Sequence, residues 1–159
     1  MNLTTQRFGD VTIPENKIIT MPKPVLGFEQ LKRYCIIERD DTEPFLWFQS
    51  VDDPNVAFMI INPVVVCPDY RIEVNPRELD ELKIKDVREV ETYAIVTIPD
   101  RPTDISVNLQ GPILINTRTR LAKQLVLVNS CYRVKHLLSE LLESTADVEV
   151  PEVVEELAV

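Results

Sequence analysis

Residues 44–63 read PFLWFQSVDDPNVAFMIINP, two apolar runs separated by the sequence DDPN. The runs are rich in aromatic and β-branched side chains, which favour strands, and Asp and Pro favour a turn between them. The stretch therefore predicts a β-hairpin. Along its first strand, Phe45 and Trp47 share one face, and the other face is also apolar because Leu46 and Phe48 alternate with them. A strand with two apolar faces belongs in the interior of a closed or two-layered sheet.

The rest of the chain repeats this pattern of short strands. Apolar, β-branched runs are separated by clusters of Pro, Asp and Asn, which is typical of a β-sandwich or barrel. Asn75 and Pro76 can cap and begin a short helix over residues 76–82. Apolar residues at helical spacing predict an amphipathic helix over residues 132–142. The expected fold is mainly β, a small β-barrel-like single domain with one short C-terminal helix.

Four shorter strands are predicted on either side of breaker residues. Residues 64–67 and 70–74 surround Pro68-Asp69, which reads as a turn. Residues 105–109 and 113–116 are separated by Gly111-Pro112, which should end the first strand before the second begins.

The negative charge is concentrated at the C-terminus. The net charge is -9, and six of the 26 acidic residues lie in residues 143–159, which contain no Lys or Arg. We predict that residues 1–142 form the β domain and that residues 143–159 form an acidic, flexible tail. The body is also slightly acidic, so neither part should bind the phosphate backbone of nucleic acid directly.

Cysteine usage and the lack of apolar segments predict a cytoplasmic protein. The three cysteines, Cys35, Cys67 and Cys131, are odd in number and form no CxxC pair, so free thiols in a reducing compartment are expected. The start, MNLTTQRFGDVTI, is polar and alternating rather than like a signal peptide. No run approaches the roughly 20 apolar residues of a membrane helix, so no membrane association is expected.

The sequence predicts no catalytic, cofactor-binding or metal site. The single histidine, His136, falls on the predicted C-terminal helix, and the cysteines lack zinc-ligand spacing. With three glycines in the chain, neither GxGxxG nor GxxxxGK[ST] occurs. The acidic pairs Asp40-Asp41 and Asp52-Asp53 lie in turns, where capping explains them without a reaction. An uncharacterised enzyme and a small β-barrel ligand-binding protein remain alternatives.

Six motifs that occur in a fixed order point to one family. They are RFGDVTIPENKIITMPKPVLGFEQ from residue 7, the hairpin quoted above, PDY at 68–70, YAIVTIP at 93–99, VNLQGPILIN at 107–116 and Arg-x-x-Lys-Gln at 120–124. Together, over about residues 6–127, they resemble the FliW family of flagellar assembly factors. The departures are Pro24 and Leu26 before the Gly-Phe, Phe48 where Leu is common, and Gly111 where Ala is common. They affect loop and packing detail.

The resemblance implies a non-catalytic, cytoplasmic regulator of flagellum assembly with a small β-barrel-like fold and no cofactor. FliW-like proteins bind the translational regulator CsrA and oppose its repression of flagellin translation. They also bind flagellin, which couples flagellin translation to its secretion. CsrA and flagellin are therefore the partners that the resemblance implies for this chain.

Two loops are predicted to contact a partner, because loops and sheet edges are where small β domains bind. CsrA binds RNA and should be basic, so acidic loops could orient it. The alternative is that Asp52 and Asp69 only cap their turns. The candidate residues are Gln49, Ser50, Asp52, Asp53 and Asn55 in the hairpin turn, and Asp69 and Tyr70, which would present a carboxylate and a phenol together.

Overall fold

The structure, a computed structural model, describes residues 1–128 and 130–144. Within these residues it has ten strands, three short α-helices and three single-turn 3-10 helices. The strands are β1 (Asn2–Thr5), β2 (Gly9–Thr12), β3 (Ile19–Thr20), β4 (Arg33–Glu38), β5 (Leu46–Ser50), β6 (Ala57–Ile61), β7 (Val90–Thr97), β8 (Ser106–Asn116), β9 (Ala122–Gln124) and β10 (His136–Leu137). The helices are α1 (Pro63–Val66), α2 (Pro76–Glu81) and α3 (Leu138–Ser144).

Eight of the strands form one sheet whose two ends approach each other. The order is β10-β8-β7-β6-β5-β4-β3, with β9 also paired to β8. The seam is bridged where Thr20 of β3 pairs with Leu121, just before β9, and Thr20 N donates to Arg120 O at 2.9 Å. Strands β1 and β2 form a separate two-stranded sheet. The prediction of a mainly β, barrel-like fold with a C-terminal helix is confirmed.

The hairpin of β5 and β6 lies inside this sheet, as its two apolar faces predict. Phe45 and Trp47 lie in one buried cluster, and Phe48 lies in a second cluster with Tyr34. The rings of Tyr34 and Phe48 stack with centroids 4.3 Å apart. Strand β5 therefore has core on both sides, and only 7% of Trp47 is exposed.

Side-chain hydrogen bonds replace the strands predicted at 64–67 and 70–74. The first segment is helix α1, because Asn62 caps it by accepting from Val64 N and Pro63 occupies the first turn. The second segment pairs with no strand in the described chain. It is held instead by Tyr70, whose hydroxyl donates to Leu109 O, and by Arg71 N, which donates to the hydroxyl of Tyr132.

Gly111 and Pro112 do not end a strand, so the predicted break at these residues is wrong. They lie within the single strand β8. The register between β7 and β8 shifts next to these residues: Tyr93 pairs with Ile113, while Ile95 pairs with Asn108. The side chain of Asn108 accepts from Gln110 N and Gly111 N, so the irregular segment keeps its hydrogen bonds.

One of the two predicted helices is confirmed, and the other begins later in the chain than predicted. Helix α2 is confirmed, with Asn75 accepting from Arg77 N at 2.9 Å. Helix α3 begins at Leu138, not at residue 132, because the preceding segment pairs with β8: His136 lies opposite Val107, and Arg133 O accepts from Leu109 N and Gln110 N. Of the predicted tail, 143–159, only the first two residues lie within the described part, at the end of α3.

Candidate partner-binding site

The β5–β6 loop is shaped by its own short polar side chains. Ser50, which is buried, accepts hydrogen bonds on Oγ from Asp52 N at 3.1 Å and Asp53 N at 2.9 Å. The Asp53 carboxylate accepts from Asn55 N at 3.0 Å. These are the local side-chain-to-backbone bonds that Ser and Asp favour in turns. The loop therefore has one defined shape without a partner.

Asp52 ties this loop to the start of β4. Its carboxylate accepts from Lys32 N and Arg33 N, both at 3.0 Å, and forms an ion pair with the Arg33 guanidinium at 2.8 Å. Burial raises the pKa of Asp52, but the hydrogen bonds from these backbone groups and the charge of Arg33 outweigh it, so the pKa lies below its ordinary value. Asp52 is therefore ionised, and its charge is already compensated inside the molecule.

Gln49 forms the floor of a groove beside the loop. It is 0% exposed, and its Nε2 donates to Ser50 O at 3.0 Å and Val56 O at 3.0 Å. Its Oε1 is buried and has no hydrogen-bond partner in the described structure. The groove has a volume of about 430 Å³ and is lined by Gln6, Arg7, Gln49, Pro54, Asn55 and Ala57.

The turn between β1 and β2 supplies the other wall of this groove. Gln6 N donates to Pro54 O at 3.1 Å, which fixes the turn against the loop. The Arg7 guanidinium lies 4.3 Å from the centroid of the Trp47 ring, a favourable cation–π distance. Sequence reasoning did not select Gln6 or Arg7, although Arg7 begins the first of the family motifs.

The second predicted loop does not present its phenol. Tyr70 is 8% exposed, and its hydroxyl donates to Leu109 O at 2.7 Å. Burial, with smaller contributions from Tyr132 and Cys67, raises the pKa of this hydroxyl. The expectation that Asp69 and Tyr70 act together at the surface is therefore wrong, although Asp69 itself is exposed.

The two loops are also separate. No hydrogen bond or ion pair within residues 1–128 and 130–144 joins residues 49–55 to Asp69 or Tyr70. Partner contact by either loop stays a prediction. Among the predicted residues, Asp52, Asn55 and Asp69 are exposed and Asp53 is half-buried, while Gln49, Ser50 and Tyr70 are buried.

Cys35 and His136 are held within the fold. Burial raises the pKa of Cys35 to about 11. His136 accepts from Arg133 N at 2.8 Å on Nε2, and it lies on β10, not on the helix predicted for it. No group of three or more His, Cys, Asp or Glu residues in the part that the structure describes could hold a metal ion.

Comparison with known proteins places these features in a family. The model of the FliW protein family matches residues 2–138, which include both walls of the groove. The chain belongs to the FliW family. It is 42% identical over 136 residues to the flagellar assembly factor FliW of Geobacter sulfurreducens, covering 86% of this chain and 85% of that protein. It is 42% identical over 135 residues to the FliW of Thermosipho africanus, covering 84% of this chain and 93% of that protein.

A crystal structure of the flagellar assembly factor FliW has the same fold. The TM-score is 0.81 with 34% sequence identity, over 87% of this chain and 96% of that one. These FliW relatives are named as assembly factors and not as enzymes, and membership of the family supports a role in flagellum assembly. Among the helices that the structure describes, none is long and apolar enough to cross a membrane.

Proposed function

We propose that this FliW protein is a non-catalytic, cytoplasmic regulator that binds CsrA and opposes its repression of flagellin translation. It also binds flagellin, so that flagellin translation follows flagellin secretion. The observation that carries the proposal concerns residues 44–63, the sequence block most typical of the family. The loop between the two strands of this block has an internally fixed shape and lies beside a groove. A fixed loop can bind a protein partner without a large cost of ordering.

The groove between the β5–β6 loop and the β1–β2 turn is the surface we assign to CsrA. Asn55 and Arg7 are exposed at its rim. Gln49 lies at its floor with an unused acceptor, and buried polar groups normally find a partner. Asp52 and Ser50 act as positioning residues, because Ser50 Oγ is committed to amides of the loop and the Asp52 carboxylate to the start of β4.

Titration calorimetry with purified CsrA and purified flagellin tests the function. We expect each to bind the full chain. Adding the chain to a preformed complex of CsrA and a flagellin leader transcript should release the RNA, while a gel shift with the chain and RNA alone should show no complex. No binding of either protein would contradict the proposed function.

A surface variant tests the site separately. Asn55→Arg places a long, charged side chain in the groove, and no hydrogen bond of the Asn55 side chain is lost within the described structure. It should weaken CsrA binding at least ~tenfold, about 1.4 kcal/mol. Asn16→Arg is the matched control, since Asn16 is also exposed but follows β2, away from the β1–β2 turn. Wild-type affinity in Asn55→Arg would exclude the groove while leaving the proposed function intact.

A further inference from the structure

The segment that follows β9 continues along β8 but leaves its outer edge unpaired. Leu125 N donates to Pro112 O at 2.8 Å and Leu127 N donates to Gln110 O at 2.9 Å. In an extended chain, successive backbone groups point to opposite sides. The backbone of Val126 and Val128 therefore faces away from β8, and neither residue makes a backbone hydrogen bond within the described structure.

This unpaired edge borders a second groove, of about 820 Å³. Residues 125–128 line this groove together with residues 71–75 and with Pro76 and Glu78 of α2. The lining includes the apolar side chains of Leu125, Leu127 and Tyr132. The groove lies beyond the bridge between Thr20 and Leu121, where the barrel seam is no longer closed by β3.

The edge has none of the features that protect exposed strands. Its sequence, LVLV at 125–128, contains no charge and no proline, and Val126 and Val128 are 62% and 75% exposed. Native proteins normally blunt or cover such an edge. An added extended strand would satisfy its amide and carbonyl groups.

We propose that the chain's own residues 148–154, VEVPEVV, bind this edge as an added strand. In an extended strand Val148 and Val150 share a face, and Glu149 points to the opposite face. The valines can then cover the apolar side chains of the groove while the glutamate stays in water. Pro151 has no N–H group, which limits the added strand to a short one that matches the short open edge.

The length of chain and the charges of the groove agree with this occupant. Helix α3 ends at Ser144, and an extended chain gains about 3.3–3.6 Å per residue, so residues 148–154 can reach roughly 14–35 Å from the helix. The helix packs on the same cluster as the groove residues Ile72 and Tyr132. Among the charged residues that line the groove, Arg71 offsets Glu73, and Glu78 pairs with Lys123, which also pairs with Glu81.

Amide hydrogen exchange of the full chain, measured by NMR, tests the proposal. The amides of Val126 and Val128 should exchange at least ~tenfold more slowly in the wild-type chain than in the double variant Val148→Asp/Val150→Asp. Aspartates at these positions would be buried against an apolar floor. The matched control places two aspartates beyond the segment, Ala158→Asp/Val159→Asp, and should keep the wild-type rates.

The amides of Leu125 and Leu127 provide an internal reference, because they are bonded to β8 whether or not the edge is covered. Their rates should be equal in all three proteins. Equal rates for Val126 and Val128 in wild type and the Val148→Asp/Val150→Asp variant would overturn the proposal. Protection that increases with protein concentration would also overturn it, because the strand would then come from a second copy.

Discussion

The β5–β6 loop and the edge at residues 125–128 differ in how their backbone hydrogen-bonding groups are satisfied. Both are irregular backbone next to the sheet. In the loop, Ser50, Asp52 and Asp53 supply acceptors for the turn amides and for the start of β4. Along the edge, no side chain in the part that the structure describes does this for Val126 or Val128. The loop is therefore complete without a partner, whereas the edge requires another strand or water.

The β5–β6 loop can be recognised by its shape, whereas the edge at residues 125–128 can be recognised by strand addition. A preformed loop presents the same surface before and after binding. An open edge offers backbone groups that any extended segment can use, so its specificity depends on alternate side chains. Variants that damage one region should leave the other unchanged, since the two regions share no hydrogen bond or ion pair in the described chain.

The largest loss of stability is expected from a substitution in the core beneath the β5–β6 loop. Trp47→Ala removes a side chain that is 7% exposed and that contacts Phe8 edge-to-face at 5.6 Å. The free energy of unfolding in urea should fall by ~3–5 kcal/mol. Val128→Ala, at the open edge, should change it by less than about 0.5 kcal/mol. Similar losses in the two variants would show that the two regions do not differ in packing as described.

A smaller loss should follow from removing the charge that ties the loop to β4. Asp52→Asn keeps the shape but weakens two backbone hydrogen bonds and the ion pair with Arg33, and should cost about 1–3 kcal/mol at pH 7. Asp41→Asn is the control, since the Asp41 side chain is 69% exposed and lies 3.8 Å from Arg39, and it should cost less than about 0.5 kcal/mol.

The pH dependence of that loss has a defined sign. The folded pKa of Asp52 is lowered from its ordinary value of 3.8, so the stabilisation is present above pH 3.8 and is lost as the pH falls through the folded pKa. The difference between wild type and Asp52→Asn should therefore shrink as unfolding is measured from pH 7 down to pH 3. A difference that grows on acidification would contradict the assigned ionised state.

Much of the fold follows from local sequence pattern. Alternation of Phe45, Leu46, Trp47 and Phe48 predicted a strand with core on both faces, and Asn75-Pro76 predicted the start of α2. The pattern failed where distant contacts decide. The spacing at 132–137 is helical, yet Arg133 and His136 pair with β8, and a pairing of that kind leaves no local trace in the sequence.

The candidate site was predictable only in part. The turn chemistry of SVDDPN correctly marked a loop fixed by its own side chains. Asp52 was expected to cap its own turn or meet a partner, but it binds the start of β4, which lies 19 residues away. Tyr70 was expected to present its phenol beside the Asp69 carboxylate in a partner-binding loop. Its acceptor, Leu109 O, lies 39 residues away, and no local pattern identifies it.

His136 lies in the segment that leads from the open edge back to β8, and its titration should affect stability. His136 accepts from Arg133 N on Nε2, which requires a neutral ring. Burial and the Arg133 charge lower the pKa of His136 from 6.5, against the opposing charge of Glu140. The unfolded chain then binds more protons than the folded chain, so stability is lost as the pH falls below about 6.5.

His136→Gln keeps an acceptor but does not titrate. Between pH 7.5 and 5.5 its free energy of unfolding in urea should fall less than that of the wild type. The other groups that titrate are common to both proteins, so the difference in slope isolates His136. Equal slopes would mean that the folded and unfolded chains bind the proton equally well at this residue.

The smallest expected effect is a difference in thiol reactivity between one cysteine in each region, and it leaves stability unchanged. Cys35 lies opposite Gln49 in the β4–β5 ladder, and burial raises its pKa to about 11, so the Cys35 thiol is almost entirely protonated at pH 8. Cys131 is exposed and lines the groove beside the open edge. A thiol-specific reagent at pH 8 should therefore label Cys131 first and Cys35 only when the chain unfolds. The variant Cys131→Ser identifies the fast phase of labelling.

The same labelling tests whether residues 148–154 cover the groove. If they do, the fast phase should accelerate in the Val148→Asp/Val150→Asp variant, while labelling of Cys35 stays as slow as in the wild type. Equal labelling of Cys35 and Cys131 in the folded wild-type chain would show that the β4–β5 ladder opens as readily as the edge.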